Sequence, residues 1–233
     1  MWLWALLVGV QGAGLWPGGD WEAGDQAKFS QYSIDLNPPM AQSKGQLRYK
    51  VQQQATTLEA KFAFTSSCPR TRDIQGLAVL LSTEPLKSGR LFGAHPVFEG
   101  VMVMVNHQSL EAGMVLGDGK RQIREGDSAL KCSFSDTQAN TTVRISLSQG
   151  KIALFIGPES RLCGSMDFPF ERFYIGLSAS AASQPCSNTI YDFTLESVDQ
   201  NPSLAAIGDT IGEMDEEIAD VIGEIGEMLD EFS

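Results

Sequence analysis

Two apolar runs, Gly76 to Leu81 and Val101 to Val105, constrain this chain more than any other feature in it. Each is rich in Val, Leu and Met, ends at turn residues and is too short for a helix. They are therefore expected to be buried neighbouring strands of a sandwich, joined by a Gly- and Pro-rich connection. The same pattern predicts strands at Lys61 to Phe64, Val143 to Leu147, Ile152 to Ile156, Phe173 to Leu177 and Ile190 to Leu195. Gly, Pro, Ser and Asn separate them, as an antiparallel sheet requires. With 233 residues, 42% of them hydrophobic, the chain can bury one sizeable sandwich core but hardly two domains. The expected fold class is all-β, an antiparallel sandwich over residues 15–200 followed by an acidic helix.

The first 14 residues, MWLWALLVGVQGAG, have an apolar run followed by small residues, the outline of a secretory signal peptide; a membrane anchor or a buried strand is the alternative. No Lys or Arg precedes the run, so only the terminal amine supplies positive charge there. No later run reaches the about 18 apolar residues a spanning helix needs, so no membrane span is expected in the mature chain. The expected location is the secretory lumen or the cell exterior. Four cysteines suit that oxidising compartment; three pairings are open to them, with free buried thiols as the alternative. Asn140-Thr141-Thr142 is a glycosylation sequon in keeping with the same compartment.

After Asn201-Pro202 comes a second kind of pattern. Ile207, Ile211, Met214, Ile218, Val221, Ile225, Met228 and Phe232 are spaced alternately by 4 and 3, a heptad seam that predicts a coiled-coil segment over residues 201–233. From Ile207 onward ten acidic residues meet no Lys or Arg, and they carry most of the net charge of -12. Such a helix repels its own copy, and Gly208, Gly212, Gly223 and Gly226 each weaken it by up to about 1 kcal/mol. A basic or mixed-charge helix of another protein is the expected partner for residues 203–233; a solvated acidic tail is the alternative.

Several classes of activity find no support in the residues. No strand carries the paired carboxylates of a retaining glycosidase, and no G-x-S-x-G elbow is present. No P-loop or zinc pattern occurs, and the acidic balance opposes nucleic acid. The chain is therefore not expected to be an enzyme. Asp118 sits in a GDGK turn and reads as a turn former. His95 and His107, 12 apart, read as loop or surface residues.

Five segments in order carry a resemblance. SKGQLRYKVQQQATTLEAKFAF is an amphipathic opening that ends in aromatics. IQGLAVLL follows, then LFG and FEGVMVMVN. Cys132 and Cys163 bracket the strand-turn-strand TTVRISLSQGKIALFI. Last comes FYIGLSASAASQPCSNTIYDF. Together, from about Phe29 to Val198, they resemble the legume-like (L-type) lectins of the early secretory pathway. The resemblance implies a concanavalin-like jelly roll and a lectin of high-mannose glycoproteins, a cargo receptor or sorting factor between endoplasmic reticulum and Golgi. It also implies disulfides Cys132–Cys163 and, by remainder, Cys68–Cys186.

In that family a calcium ion, held by carboxylates and an amide, fixes an Asn and an Asp on mannose hydroxyls, and calcium takes six to eight oxygens. The resemblance places Gln75 where the family has its sugar-binding carboxylate and Asn106 where it has a metal-binding Asp. Glu111 and Asp127 are the nearby carboxylates left to serve a metal. Ala182, Ser183 and Gln184 stand where the family approaches the sugar with glycines. The candidate carbohydrate residues are thus Gln75, Asn106, Asp127, Ser183 and Gln184, and the calcium ligands expected from the family are largely replaced. The competing expectation is a lectin-derived scaffold that binds no sugar and acts through its acidic coil.

Overall fold

The computed structural model describes residues 20–30, 32–67, 76–106, 109–134 and 141–199. Among them fifteen strands form. They are β1 (Trp21–Asp25), β2 (Lys28–Phe29), β3 (Ile34–Met40), β4 (Lys44–Tyr49) and β5 (Ala55–Ser67). Next come β6 (Gly76–Ser82), β7 (Ser88–Leu91), β8 (Glu99–Asn106), β9 (Glu111–Asp118) and β10 (Leu130–Ser133). The last five are β11 (Thr141–Ser148), β12 (Lys151–Ile156), β13 (Arg161–Asp167), β14 (Tyr174–Ser180) and β15 (Cys186–Asp199).

The two apolar runs are antiparallel neighbours, with Gly76 opposite Asn106 and Leu81 opposite Val101. They form the middle of a seven-stranded front sheet ordered β1-β4-β14-β6-β8-β9-β10. The back sheet also has seven strands, ordered β13-β12-β11-β5-β15-β3-β2. All pairings described are antiparallel. The chain is thus a β-sandwich of two antiparallel sheets, the predicted class. Every predicted strand falls within an observed one except at Phe173, which pairs with Gln53 in an isolated bridge just before β14. The opening segment from Ser43 to Phe64 divides between the sheets, β4 in front and β5 behind.

Period-two alternation explains the back sheet. Val143, Ile145 and Leu147 of β11 are buried while Thr142, Arg144 and Ser146 between them are partly exposed. Such a strand covers one core face and meets water on the other. The turn to β12 uses Gln149 and Gly150, both at positive φ, as a two-residue hairpin demands. Leu58, Phe62 and Phe64 of β5 join these residues against Val79, Val103, Val105 and Met114 of the front sheet in one inter-sheet core.

The front sheet differs because it is covered twice. Ala78, Leu80, Met102, Met104 and Val115 point away from that core and pack under Leu86, Leu91, Phe92, Ala94, Phe98 and Ile123. The Gly- and Pro-rich connection between β6 and β8 therefore folds back over its own strands as a second apolar layer. Gly76 lets β6 and β8 meet closely at this end: at φ +147° a side chain there would put Cβ about 2.0 Å from the Val105 carbonyl oxygen.

Cys132 of β10 and Cys163 of β13 form a disulfide that joins the edge strand of the front sheet to that of the back sheet. Cys186 is wholly buried and disulfide-bonded as well. Cys68, its expected partner, lies outside the described residues, as do Gln75, His107, Asn140, residues 1–14 and the acidic heptad segment at 201–233.

Candidate functional site

Strand register brings distant residues into one row. Ser133 faces Glu111, Glu111 faces Asn106, Asn106 faces Gly76, Gly76 faces Ser180 and Ser180 faces Lys44. Facing residues of antiparallel strands project to the same side, so this row lies on the outward face of the front sheet, at one end of it. Here the apolar runs stop and polar side chains begin.

Asn106 ends β8 and is 5% exposed. Its side-chain oxygen accepts the Ser109 backbone N–H at 3.1 Å, which turns the chain toward β9. Asn106 lines a cleft of about 230 Å³ with Glu111, Glu125 and Lys131, over a floor of Phe92 and Met104. Burial raises the Glu125 carboxyl above its ordinary range; the Lys131 ammonium opposes the shift and the Glu111 carboxylate adds to it. These three charges therefore act on one another within the cleft.

Asp127 is placed differently. It closes the short 3-10 turn Glu125–Asp127, and its carboxylate accepts the Arg124 N–H at 3.0 Å and faces the Arg121 guanidinium at 3.3 Å. Glu125, Gly126 and Ser128 line the cleft, while the Asp127 carboxylate caps its own turn. Asp118 is a turn former: its carboxylate accepts the Arg121 and Lys120 amides at 2.7 and 2.9 Å, and these bonds, Arg121 first, hold its pKa below the usual range.

Ser183 and Gln184 are exposed in the loop between β14 and β15. That loop is seated from below. The Ala182 carbonyl accepts the Gln42 N–H at 2.7 Å, and the Ala181 N–H reaches the Ser43 carbonyl at 2.9 Å. Beneath it, Asn188 donates to the Asn37 side-chain oxygen at 2.8 Å, and Asn37 donates to the Cys186 carbonyl at 2.6 Å and the Ser43 hydroxyl at 3.0 Å. Both asparagines have no exposed surface, so this network is satisfied internally and fixes the loop relative to the β3–β4 turn. Because Ser180 and Asn106 both flank Gly76, the loop and the Asn106 cleft share one end of the sheet.

A larger cleft, about 440 Å³, is lined by Ser82, Glu84, Lys87, His95 and Glu99. Gly76 and Ser82 are opposite ends of β6, so this cleft lies at the other end of the sheet from Asn106. Lys87 pairs with Glu84, and exposed His95 shares a ring nitrogen contact of 2.9 Å with the Val97 carbonyl. Glu125 and Lys131 carry no sequence motif of their own; the β8–β9–β10 register brings Lys131 beside Asn106, and the 3-10 turn before β10 brings Glu125.

Two antiparallel seven-stranded sheets packed face to face make this a lectin-type β-sandwich. The chain belongs to the legume-like lectin family, whose sequence model matches residues 10–201. Among solved structures it is similar to the metal-free carbohydrate recognition domain of Emp46p, with 24% identity and a TM-score of 0.65 over 76% of this chain and 88% of that one. The exoplasmic/lumenal domain of VIP36 in its Ca2+/Man-bound form gives 13% identity and a TM-score of 0.69 over 79% and 86%. The Emp47p carbohydrate recognition domain gives 16% and 0.66 over 77% and 89%. No curated protein matches the chain.

Calcium bound to a lectin of this type calls for several anionic oxygens around one point. Among the described residues no group of three His, Cys, Asp or Glu side chains is placed to hold a metal ion. Asn106 offers an amide oxygen already engaged by Ser109, Asp127 is committed to its own turn, and Glu111 and Glu125 share their cleft with an ammonium. The described donor set does not fit calcium.

Proposed function

We propose that this chain is a carbohydrate-binding protein of the secretory lumen, taking high-mannose glycans of glycoproteins as ligand and handling them between endoplasmic reticulum and Golgi, or outside the cell. The observation that carries the reading is the convergence at one end of the front sheet of the Asn106 cleft and the β14–β15 loop, with its exposed Ser183 and Gln184. Two further facts support it. VIP36, similar in fold, has been crystallised with mannose, and the Cys132–Cys163 disulfide suits an oxidising compartment. Among the described residues no helix is long and apolar enough to cross a membrane. Asn140 is the proposed glycan acceptor of the chain itself, and residues 203–233 are proposed to meet a basic or mixed-charge helix.

A glycan array probed with the full chain, with calcium and with chelator, tests the reading. High-mannose glycans are expected to be retained. No retained glycan under either condition would replace the reading with a scaffold that works through its acidic segment. Gln75→Asp with Asn106→Asp supplies the two carboxylates that the family carries at these sequence positions and is expected to introduce a calcium response.

A further inference from the structure

The Asn106 cleft combines features that a metal-centred site does not need. Its rim carries an amide, two carboxylates and one ammonium, while Phe92 and Met104 beneath them are buried and offer almost no open surface. A sugar ring presents an edge of hydroxyls that such a rim can meet. Carboxylate oxygens accept from those hydroxyls, and an ammonium donates three hydrogen bonds without a metal. At about 230 Å³ the cleft falls below the about 300–1,000 Å³ of drug-sized ligand sites, so it suits a single ring rather than an extended chain.

We infer that this cleft binds a neutral sugar directly, without a metal ion, with the Lys131 ammonium in place of calcium. The inference rests on the carbohydrate-binding reading above and adds its mechanism and charge preference. The backbone of Lys131 is held within the sheet. It stands on β10 opposite Gly113 and next to Cys132, whose disulfide ties that strand to β13. Its charge is felt by Glu125, as is that of Glu111, so one ammonium balances one of two carboxylates. The same ammonium offsets one of the two carboxylates that a divalent cation would need, and so weakens its binding. The residual negative charge repels sialylated or phosphorylated glycans.

Binding of an immobilised high-mannose oligosaccharide and of a sialylated counterpart, measured on the full chain in calcium and in EDTA, tests this. The wild type is expected to bind the neutral glycan equally in both buffers and to reject the sialylated one. Lys131→Met is expected to lose about tenfold or more, the loss of one charged hydrogen bond, with Lys131→Arg retaining most of the affinity. Lys131 is exposed, so its variants should melt like the wild type, whereas Glu84→Gln in the other cleft should bind like it. Wild-type binding abolished by EDTA, Lys131→Met binding unimpaired, or equal capture of the sialylated glycan would each overturn the metal-free site while leaving the lectin reading in place. Absence of any glycan binding would overturn both.

Discussion

In the front sheet β6 is buried from end to end and β8 from Gly100 onward, whereas β11 and β12 of the back sheet bury only every second residue. Both sheets have seven strands and share one core. The difference lies in what covers the outer face: the back sheet meets water, and the front sheet carries the folded connection from residue 83 to 98. An outward position in front is therefore a core position, while the equivalent position behind is a surface one. The candidate site lies where that extra layer ends.

The strongest challenge to this contrast is Phe92→Ala, which removes a wholly buried ring from the outer layer alone. A loss of about 3–5 kcal/mol in urea unfolding is expected, as for an ordinary core aromatic. Ser146→Ala, outward on the back sheet, should stay within about 0.5 kcal/mol. A small effect at Phe92 would mean that the second layer contributes little.

Replacing Cys132 and Cys163 together by Ser frees the two sheet edges from each other. The bond spans 31 residues in sequence, and its loss should cost about 3–4 kcal/mol by the same measurement. Arg144 tests the wet face of the back sheet. Its guanidinium lies 3.8 Å over the Phe155 ring and 3.3 Å from Glu59. Arg144→Ala is expected to cost only about 0.5–1 kcal/mol, and the cost should shrink in high salt.

The smallest effect concerns the front cleft. Glu125 has a raised folded pKa, chiefly through burial, so the fold disfavours its ionised form at neutral pH and gains stability as pH falls through that pKa. Glu125→Gln should thus melt slightly above the wild type at pH 7, and the gap should close as the solution is acidified. A gap that widened on acidification would reverse the assignment.

The seven predicted strands were readable because their apolar residues are dense, and density reflects the core. Edge strands were not. Most of β13, Arg-Leu-Cys-Gly-Ser-Met-Asp, is only partly buried or exposed, so little in its composition marks it as a strand. β9 interrupts its apolar residues with Gly113 and Gly117, where added Cβ atoms would strike the Leu130 and Phe98 carbonyls. The second layer was equally silent, because Leu86, Phe92 and Phe98 become core only when the loop folds back onto the strands that it joins. At the site, Asn106 was legible as the polar residue that ends an apolar run. Lys131 and Glu125 were not, since the place of Lys131 beside Asn106 depends on two strand pairings and that of Glu125 on a short turn, rather than on spacing.

The doubly covered pair β6 and β8 also sets how the molecule can open. With neither face in water and both edges hydrogen-bonded to β14 and β9, their amides have no local route to solvent. Deuterium should enter Leu77 to Leu81 and Val101 to Val105 last, in one cooperative step with global unfolding. Amides of the β14–β15 loop, at the same end as the cleft, should exchange far earlier. The loop end of the sheet can then open on a faster timescale than the strands beneath it.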